Sequence, residues 1–287
     1  LKAFDLRPLS LGEVLDRAFL MYRQYFVLFA GITAVTQVVS LTINLIDAFL
    51  SPVISVTSRT GHRTASVNHS TPIGMLFLAL EGIVGLFLYV LLHGGMVLAV
   101  TDLYLGREAT ITQSLIRSWE RLRRLLATVI LESAAVLLAT LAFVIPGVYV
   151  LCRFGVCLPA ALIEDRDPRD SLSRSWDLTK GYTGRLLVIA LLYFVLALGM
   201  AFVLGHPLRL GLEASRRSGG DVRAWLAARQ VINTLVVVLV RPVTLIATTI
   251  CYFDLRVRKE GFDLQFMMDP TSERITRETG SGLSIRP

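Results

Sequence analysis

Six long apolar blocks, separated by short charged segments, decide what this chain can fold into. They run over about 25–50, 73–105, 125–145, 147–163, 186–205 and 231–253. A helix of roughly 20 apolar residues matches a ~30 Å hydrocarbon core at ~1.5 Å rise per residue. Composition agrees. The chain is 54% hydrophobic and only 18% charged, where a soluble domain carries about a quarter. Its mean hydropathy is +0.61. The expected fold is all-α integral membrane, with six transmembrane helices in a single membrane domain over 1–264. The tail 265–287, rich in Ser, Thr, Gly and charge, is expected to be cytoplasmic and poorly ordered.

The second block is long enough to tilt or to project from the bilayer. The fourth is short, and Pro146-Gly147 at its start reads as a tight turn or as a kink in one very long helix. Residues 1–24 carry seven charges and no short apolar run with a small-residue cleavage site, so no signal peptide is expected there. Orientation follows from Lys and Arg. Residues 1–24, 106–124, 164–185 and those after Phe253 hold twenty basic residues, and the opposite loops hold seven. The richer side is expected to face the cytoplasm of a bacterial inner membrane, which puts both termini inside. The loop 51–72, rich in Ser and Thr, is expected outside and mobile. Its His62 and His69 read as solvated loop residues rather than metal ligands.

The net charge of +7 comes from 29 basic and 22 acidic residues. The arginines cluster between apolar blocks, which points to anionic lipid headgroups and away from nucleic acid. Cys152, Cys157 and Cys251 all fall in apolar segments without metal-site spacing, and read as small buried residues.

A ten-residue motif recurs three times without gaps, at Ser10–Phe19, Thr110–Trp119 and Asp167–Trp176, each time ahead of an odd-numbered span. Each copy opens with a helix-capping residue, and an acid or amide follows three residues later: Glu13, Gln113, Asp170. The first two read as capping boxes, and the third has Pro168 at the first helical position. Leu15, Leu115 and Leu172 align. So do Phe19, Trp119 and Trp176, four residues on and therefore on the same face. Arg17, Arg117 and Arg174 align on another face. Each copy reads as an amphipathic helix in the inner interface, its ring at headgroup depth and its arginine on lipid phosphate or a carboxylate. The alternative is a loop helix packed on protein. The stripe Arg117, Arg121, Arg124 points to the lipid-facing form. A second match follows the second and sixth spans, where Asp102, Leu103, Leu105, Arg107 and Glu108 align with Asp254, Leu255, Val257, Lys259 and Glu260. Three units of interfacial helix plus helical hairpin result, about 10–109, 110–166 and 167–260. Any site is expected where such units meet.

At these residues the chain resembles a known family, the membrane domain associated with bacterial glycerophosphoryl diester phosphodiesterases, which also occurs alone. The resemblance covers roughly 6–264. It rests on Arg7 to Phe19, on Pro146 to Tyr149 with Arg153 and Pro159, on Ser171 to Trp176 and on Tyr252 to Asp263. It implies membrane topology without phosphodiesterase chemistry. That chemistry needs a barrel with acidic metal ligands and catalytic histidines, and the chain spends nearly all its residues on spans and interfacial helices.

No phosphate loop, H-E-x-x-H, G-x-S-x-G with partners or C-x-x-C is present in the sequence. His93, the histidine inside a span, reads as a helix-packing residue rather than a cofactor ligand, and no cofactor is expected. The remaining candidates are the intramembrane charges Glu81, Glu132, Arg153 and Arg241. Charge at bilayer depth is costly, so such residues face the bundle interior and pair. Depth counting predicts Glu81 with Arg153, and Glu132 with Arg241. These pairs would fix helix register or line a path. The expected function is non-enzymatic: a scaffold, accessory subunit or lipid-interacting component of a membrane assembly. The alternative is a small transporter or lipid-handling protein using the buried charges between the repeats.

Overall fold

The computed structural model describes residues 8–50, 53–57, 63–67, 70–217 and 222–260. The readings on residues 1–7, on His62 and His69 and on the tail lie outside them. The chain runs α1 (Leu11–Gln24), α2 (Phe26–Leu50), β1 (Val53–Thr57), β2 (Arg63–Val67), α3 (Pro72–Tyr104), α4 (Ile111–Glu120), α5 (Leu122–Ala142), α6 (Val144–Phe154), α7 (Cys157–Ile163), α8 (Pro168–Thr179), α9 (Thr183–Arg217) and α10 (Val222–Glu260).

Six segments are long and apolar enough to cross a membrane: Phe26–Leu50, Pro72–Tyr104, Leu122–Ala142, Val144–Ile163, Thr183–Pro207 and Arg223–Glu260. Their outward faces carry large apolar side chains, with Ile145 83% and Phe143 77% exposed. A water-soluble surface does not tolerate apolar patches of that extent. The architecture is that of a multi-pass membrane protein.

Four details differ from the sequence reading. The turn between the third and fourth spans sits at Phe143, whose backbone is extended. Pro146 and Gly147 lie inside α6, because proline is tolerated in a first helical turn. Gly147 admits Thr140, whose Oγ1 would lie 2.2 Å from an added Cβ. The fourth span is two helices, broken at Gly155-Val156. Pro159 explains the break, since its ring excludes the carbonyl four residues back and it has no N–H to bond it. The loop 51–72 contains an antiparallel hairpin pairing Val53 with Val67 and Thr57 with Arg63; its Val, Ile and Thr content suits a strand. Finally, α9 and α10 extend well into the segment read as an outer loop, where Gly211 gives room to the Trp225 ring.

Helix α10 is the hub, packing on α1, α2, α3, α7, α8 and α9. Its buried Ile246, Ile250, Tyr252 and Phe253 form the centre of the core, and Phe253 stacks on Tyr104 of α3 at 4.9 Å. The helices α1, α4 and α8 gather at this end. Ser10 and Glu13 make the full reciprocal cap of α1. At α4 the Thr110 hydroxyl accepts from Gln113 N–H, whereas Asp167 caps α8 without a side-chain bond. Each helix encloses a pair of small residues one turn apart: Val14 and Ala18, Ser114 and Ser118, Ser171 and Ser175. Gly94 lets α4 approach α3, since a Cβ there would fall 2.2 Å from Ser118 Oγ.

Three acids close this end. Asp102, at the end of α3, takes Arg117 of α4. Glu164, after α7, accepts from Arg174 of α8 at 2.9 Å and from the Tyr252 hydroxyl at 2.8 Å. Asp254, fully buried near the end of α10, accepts the Leu9 N–H at 2.6 Å, Arg258 at 3.0 Å and Arg185. Leu9 O in turn accepts from Arg185 and Arg258. Removing one partner of a buried ion pair strands the other and costs about 3–5 kcal/mol. Asp254→Asn should therefore lower the detergent melting temperature sharply, with a destabilisation of about 3 kcal/mol. An unchanged melting curve would show the cluster to be ornamental.

Partial burial alone would raise the Glu164 carboxyl. Hydrogen bonds from Arg174, Tyr252 and Arg166 outweigh it and hold the group below the usual carboxylate range. A depressed carboxyl contributes stability that is complete above its unfolded pKa and is lost as pH falls through the folded value. Acid titration of the melting temperature should show that loss in the wild type and a smaller one in Glu164→Gln. Equal acid sensitivity in both proteins contradicts the assignment.

Candidate functional site

A cavity of about 460 Å³ opens among α3, α5, α6, α7, α9 and α10. Its walls are mainly apolar, among them Leu151, Leu158, Ile189, Phe194 and Leu245. A few polar groups converge on it: Tyr89, His93, Glu132, Cys157, Tyr193 and Thr244. That combination, an apolar pocket with sparse placed polar groups, is the usual form of a small-molecule site. Glu132, Tyr89 and Leu151 also line a groove of about 600 Å³ between α3 and α5, floored by Gly82 and Gly85. These three side chains form a wall common to both spaces.

Neither predicted ion pair forms among the described residues. The Glu132 carboxylate accepts from the Cys157 thiol at 3.1 Å. The Arg241 guanidinium lies over the Tyr89 ring, 5.1 Å from its centroid. The Tyr89 side chain feels the charge of both residues, and Arg241 also acts on His93. The depth count could not resolve the partner each residue takes, a ring for Arg241 and a thiol for Glu132. Glu81 belongs to a different cluster: its carboxylate accepts from Asn44 at 3.0 Å, and Asn44 Oδ1 accepts from Gln230 at 3.1 Å. This amide ladder joins α2, α3 and α10. Arg153 is 3% exposed. Its guanidinium sits 4.1 Å from the Trp176 ring centroid and 5.8 Å from that of Tyr149. The break at Gly155 and the docking of α8 carry it away from Glu81, which depth counting along a straight helix could not foresee.

His93 is held within its own helix. Tyr89 O accepts from Nδ1 at 2.9 Å, and the two rings lie 3.9 Å apart. A carbonyl only accepts, so Nδ1 carries the proton and Nε2 is left as an acceptor. Among the described residues no group of three His, Cys, Asp or Glu is placed to hold a metal ion.

The arginines read as lipid-facing mostly turn onto protein. Arg117 takes Asp102, Arg174 takes Glu164 and Glu260, Arg124 takes Asp165, and Arg121 donates to Leu162 O at 2.9 Å. A guanidinium near a buried carboxylate gains a charge-assisted bond that lipid would otherwise have to supply. Arg17 lies partly exposed on α1. Of the aligned rings, Phe19 and Trp119 are exposed at 43% and 62%. Trp176 is exposed at 38% and also packs against Phe154 at 5.6 Å and Tyr149 at 6.1 Å.

Sequence reasoning missed Tyr89, Cys157, Tyr193 and the α10 threonines as cavity residues. The one signal was polar spacing inside an apolar span, Thr244 and Thr248 being one turn apart. Thr248 bonds back to Thr244 O at 2.8 Å, whereas the buried Thr244 Oγ1 has no partner among the described residues.

The shared wall generates a test. Glu132→Ala removes the side chain that covers Cys157. In a Cys152→Ala, Cys251→Ala background, a membrane-permeant thiol reagent should modify Cys157 faster in Glu132→Ala than with Glu132 intact. Equal rates would show that Glu132 does not separate groove from cavity. Comparison of the whole chain with family models, with characterised proteins and with solved structures finds no match.

Proposed function

We propose that this chain is a non-enzymatic, three-repeat protein of a bacterial inner membrane, and that it binds or moves a small amphipathic, lipid-like molecule. The observation that carries this reading is the cavity, which takes walls from α3, from α5 to α7, and from α9 and α10. Those are the three units of the sequence repeat. Its volume of about 460 Å³ falls in the range of small-molecule sites, roughly 300–1,000 Å³. The groove beyond Glu132 offers a lateral route from the acyl-chain region.

Equivalent contacts support the repeat. Ser118 Oγ donates to Leu91 O at 3.1 Å, and Ser175 Oγ donates to Arg153 O at 2.8 Å. The two serines align in the motif. The two carbonyls each lie eleven residues before the acid that ends their span, Asp102 and Glu164. The excess of Lys and Arg at the end bearing α1, α4 and α8 supports a cytoplasmic placement of that end and of both termini.

A second reading, scaffold or accessory subunit, is favoured by the outer face of α9. Phe194, Val195, Leu198 and Phe202 form an apolar ridge there, 58–67% exposed. A photoreactive lipid analogue separates the two. With a binding cavity, label should appear on α3 and α10 peptides of a monomer and be blocked by Thr248→Phe. With a subunit role, mild extraction should yield a stoichiometric protein partner and label insensitive to Thr248→Phe. Topology is tested by single cysteines: Ser66→Cys should react with an impermeant reagent from outside, and Ser284→Cys only after the membrane is opened. Reaction of both from the same side ends the topology.

A further inference from the structure

Arg153 poses a problem that the cavity does not solve. It is 3% exposed, and no acceptor among the described residues takes any of its guanidinium N–H groups; its Nε is enclosed and unbonded. Its contacts are the faces of Trp176 and Tyr149. A ring face attracts a cation but accepts no conventional hydrogen bond, so the enclosed Nε is left unmet. Buried charged groups are normally both paired and hydrogen-bonded.

The surroundings are positive. Lys259, at the end of α10, lies within electrostatic reach of Arg153, Lys180 and Arg174, and of the acid Asp177. Arg174 is already committed to Glu164 and Glu260. Lys259 donates to the Asp177 carbonyl, and Lys180 is exposed. Three cations therefore converge where α6, α8 and α10 meet. The missing partner is an oxyanion. Running from that point along α6 is an exposed apolar strip: Tyr149, Val148 and Ile145, between 42% and 83% exposed. Phosphate-binding cations at the head of an apolar strip match a phospholipid in shape and charge.

We propose that Arg153 holds the phosphate of an anionic phospholipid, with Lys259 and Lys180 at the rim and an acyl chain along α6. The proposal rests on the membrane placement above but not on the cavity ligand. Free phosphate shares the oxyanion chemistry, so the test must separate the two sources.

The purified full chain in detergent is titrated with phosphatidylglycerol, with phosphatidylcholine and with inorganic phosphate. Binding is read by native mass spectrometry and by Trp176 emission in a Trp119→Phe, Trp225→Phe background. Phosphatidylglycerol should bind at one site and shift Trp176, and phosphatidylcholine should bind more weakly. Arg153→Met should weaken phosphatidylglycerol by about tenfold, as expected for one lost charge-assisted bond. Should Arg153→Met fail to fold, the surface pair Lys180→Gln, Lys259→Gln carries the test, with a loss of severalfold. Thr248→Phe, in the cavity, should leave phosphatidylglycerol binding unchanged, so failure here and failure of the cavity reading are distinguishable. Equal binding of the two lipids, or wild-type affinity in both Arg153→Met and the lysine pair, overturns the proposal. Inorganic phosphate that shifts Trp176 with the affinity of phosphatidylglycerol overturns the lipid assignment.

Discussion

A carboxylate taken out of water must be matched by donors where it sits, and three such carboxylates hold one end of this bundle together. Asp102, Glu164 and Asp254 each end a span that returns to that side. The first two bind an arginine of the short helix that follows, and Asp254 binds the chain entering α1. Because Asp254 also engages Arg185 and Arg258, the start of α1, the start of α9 and the end of α10 are fixed to one another. The short helices can then lie close to the spans, since small residues, Val14 and Ala18, Ser114 and Ser118, Ser171 and Ser175, stand at successive turns of the faces they bury. Gly94 and Gly95 complete that approach on the α3 side.

The other parts of the bundle are held differently. Away from the acidic end, polar side chains of the described spans meet in amide, thiol and ring contacts. Asn44 links Glu81 to Gln230, Arg241 lies over the Tyr89 ring, and Glu132 takes the Cys157 thiol. The cavity lies at this junction of helices. The site proposed for a small amphipathic ligand is thus a consequence of where the structure does not close. The Arg153 site is the reverse case, a well-packed place whose enclosed Nε is unmet.

Much of the fold was legible from the chain. The six spans came from block length, and the starts of α1, α4 and α8 from their caps, with Ser10 and Glu13 bonding as the motif required. The alignment of Asp102 with Asp254 marked two of the three anchoring acids. The candidate site was much less legible. Glu132 was named for its depth, but its partner Cys157 lies 25 residues on and beyond a helix break. Arg117, Arg121, Arg124 and Arg174 were read as facing lipid, because a basic stripe on an amphipathic helix looks the same whether phosphate or carboxylate awaits it. Only the carboxylates' positions distinguish the two.

By itself, the sequence determined the number of spans, their approximate ends and the places where short amphipathic helices form. Those follow from hydrocarbon thickness and from local capping, which act within a few turns of helix. Only the tertiary structure decided which charges meet. Partner choice depends on the rotation and tilt of each helix, and these are set by packing: by Gly94 against Ser118, by Pro159 breaking the fourth span, by Tyr104 stacking on Phe253. A rise of ~1.5 Å per residue gives a side chain's height but not the direction in which it points. For that reason neither the Cys157 thiol on Glu132 nor the Tyr89 ring under Arg241 could be foreseen from depth alone.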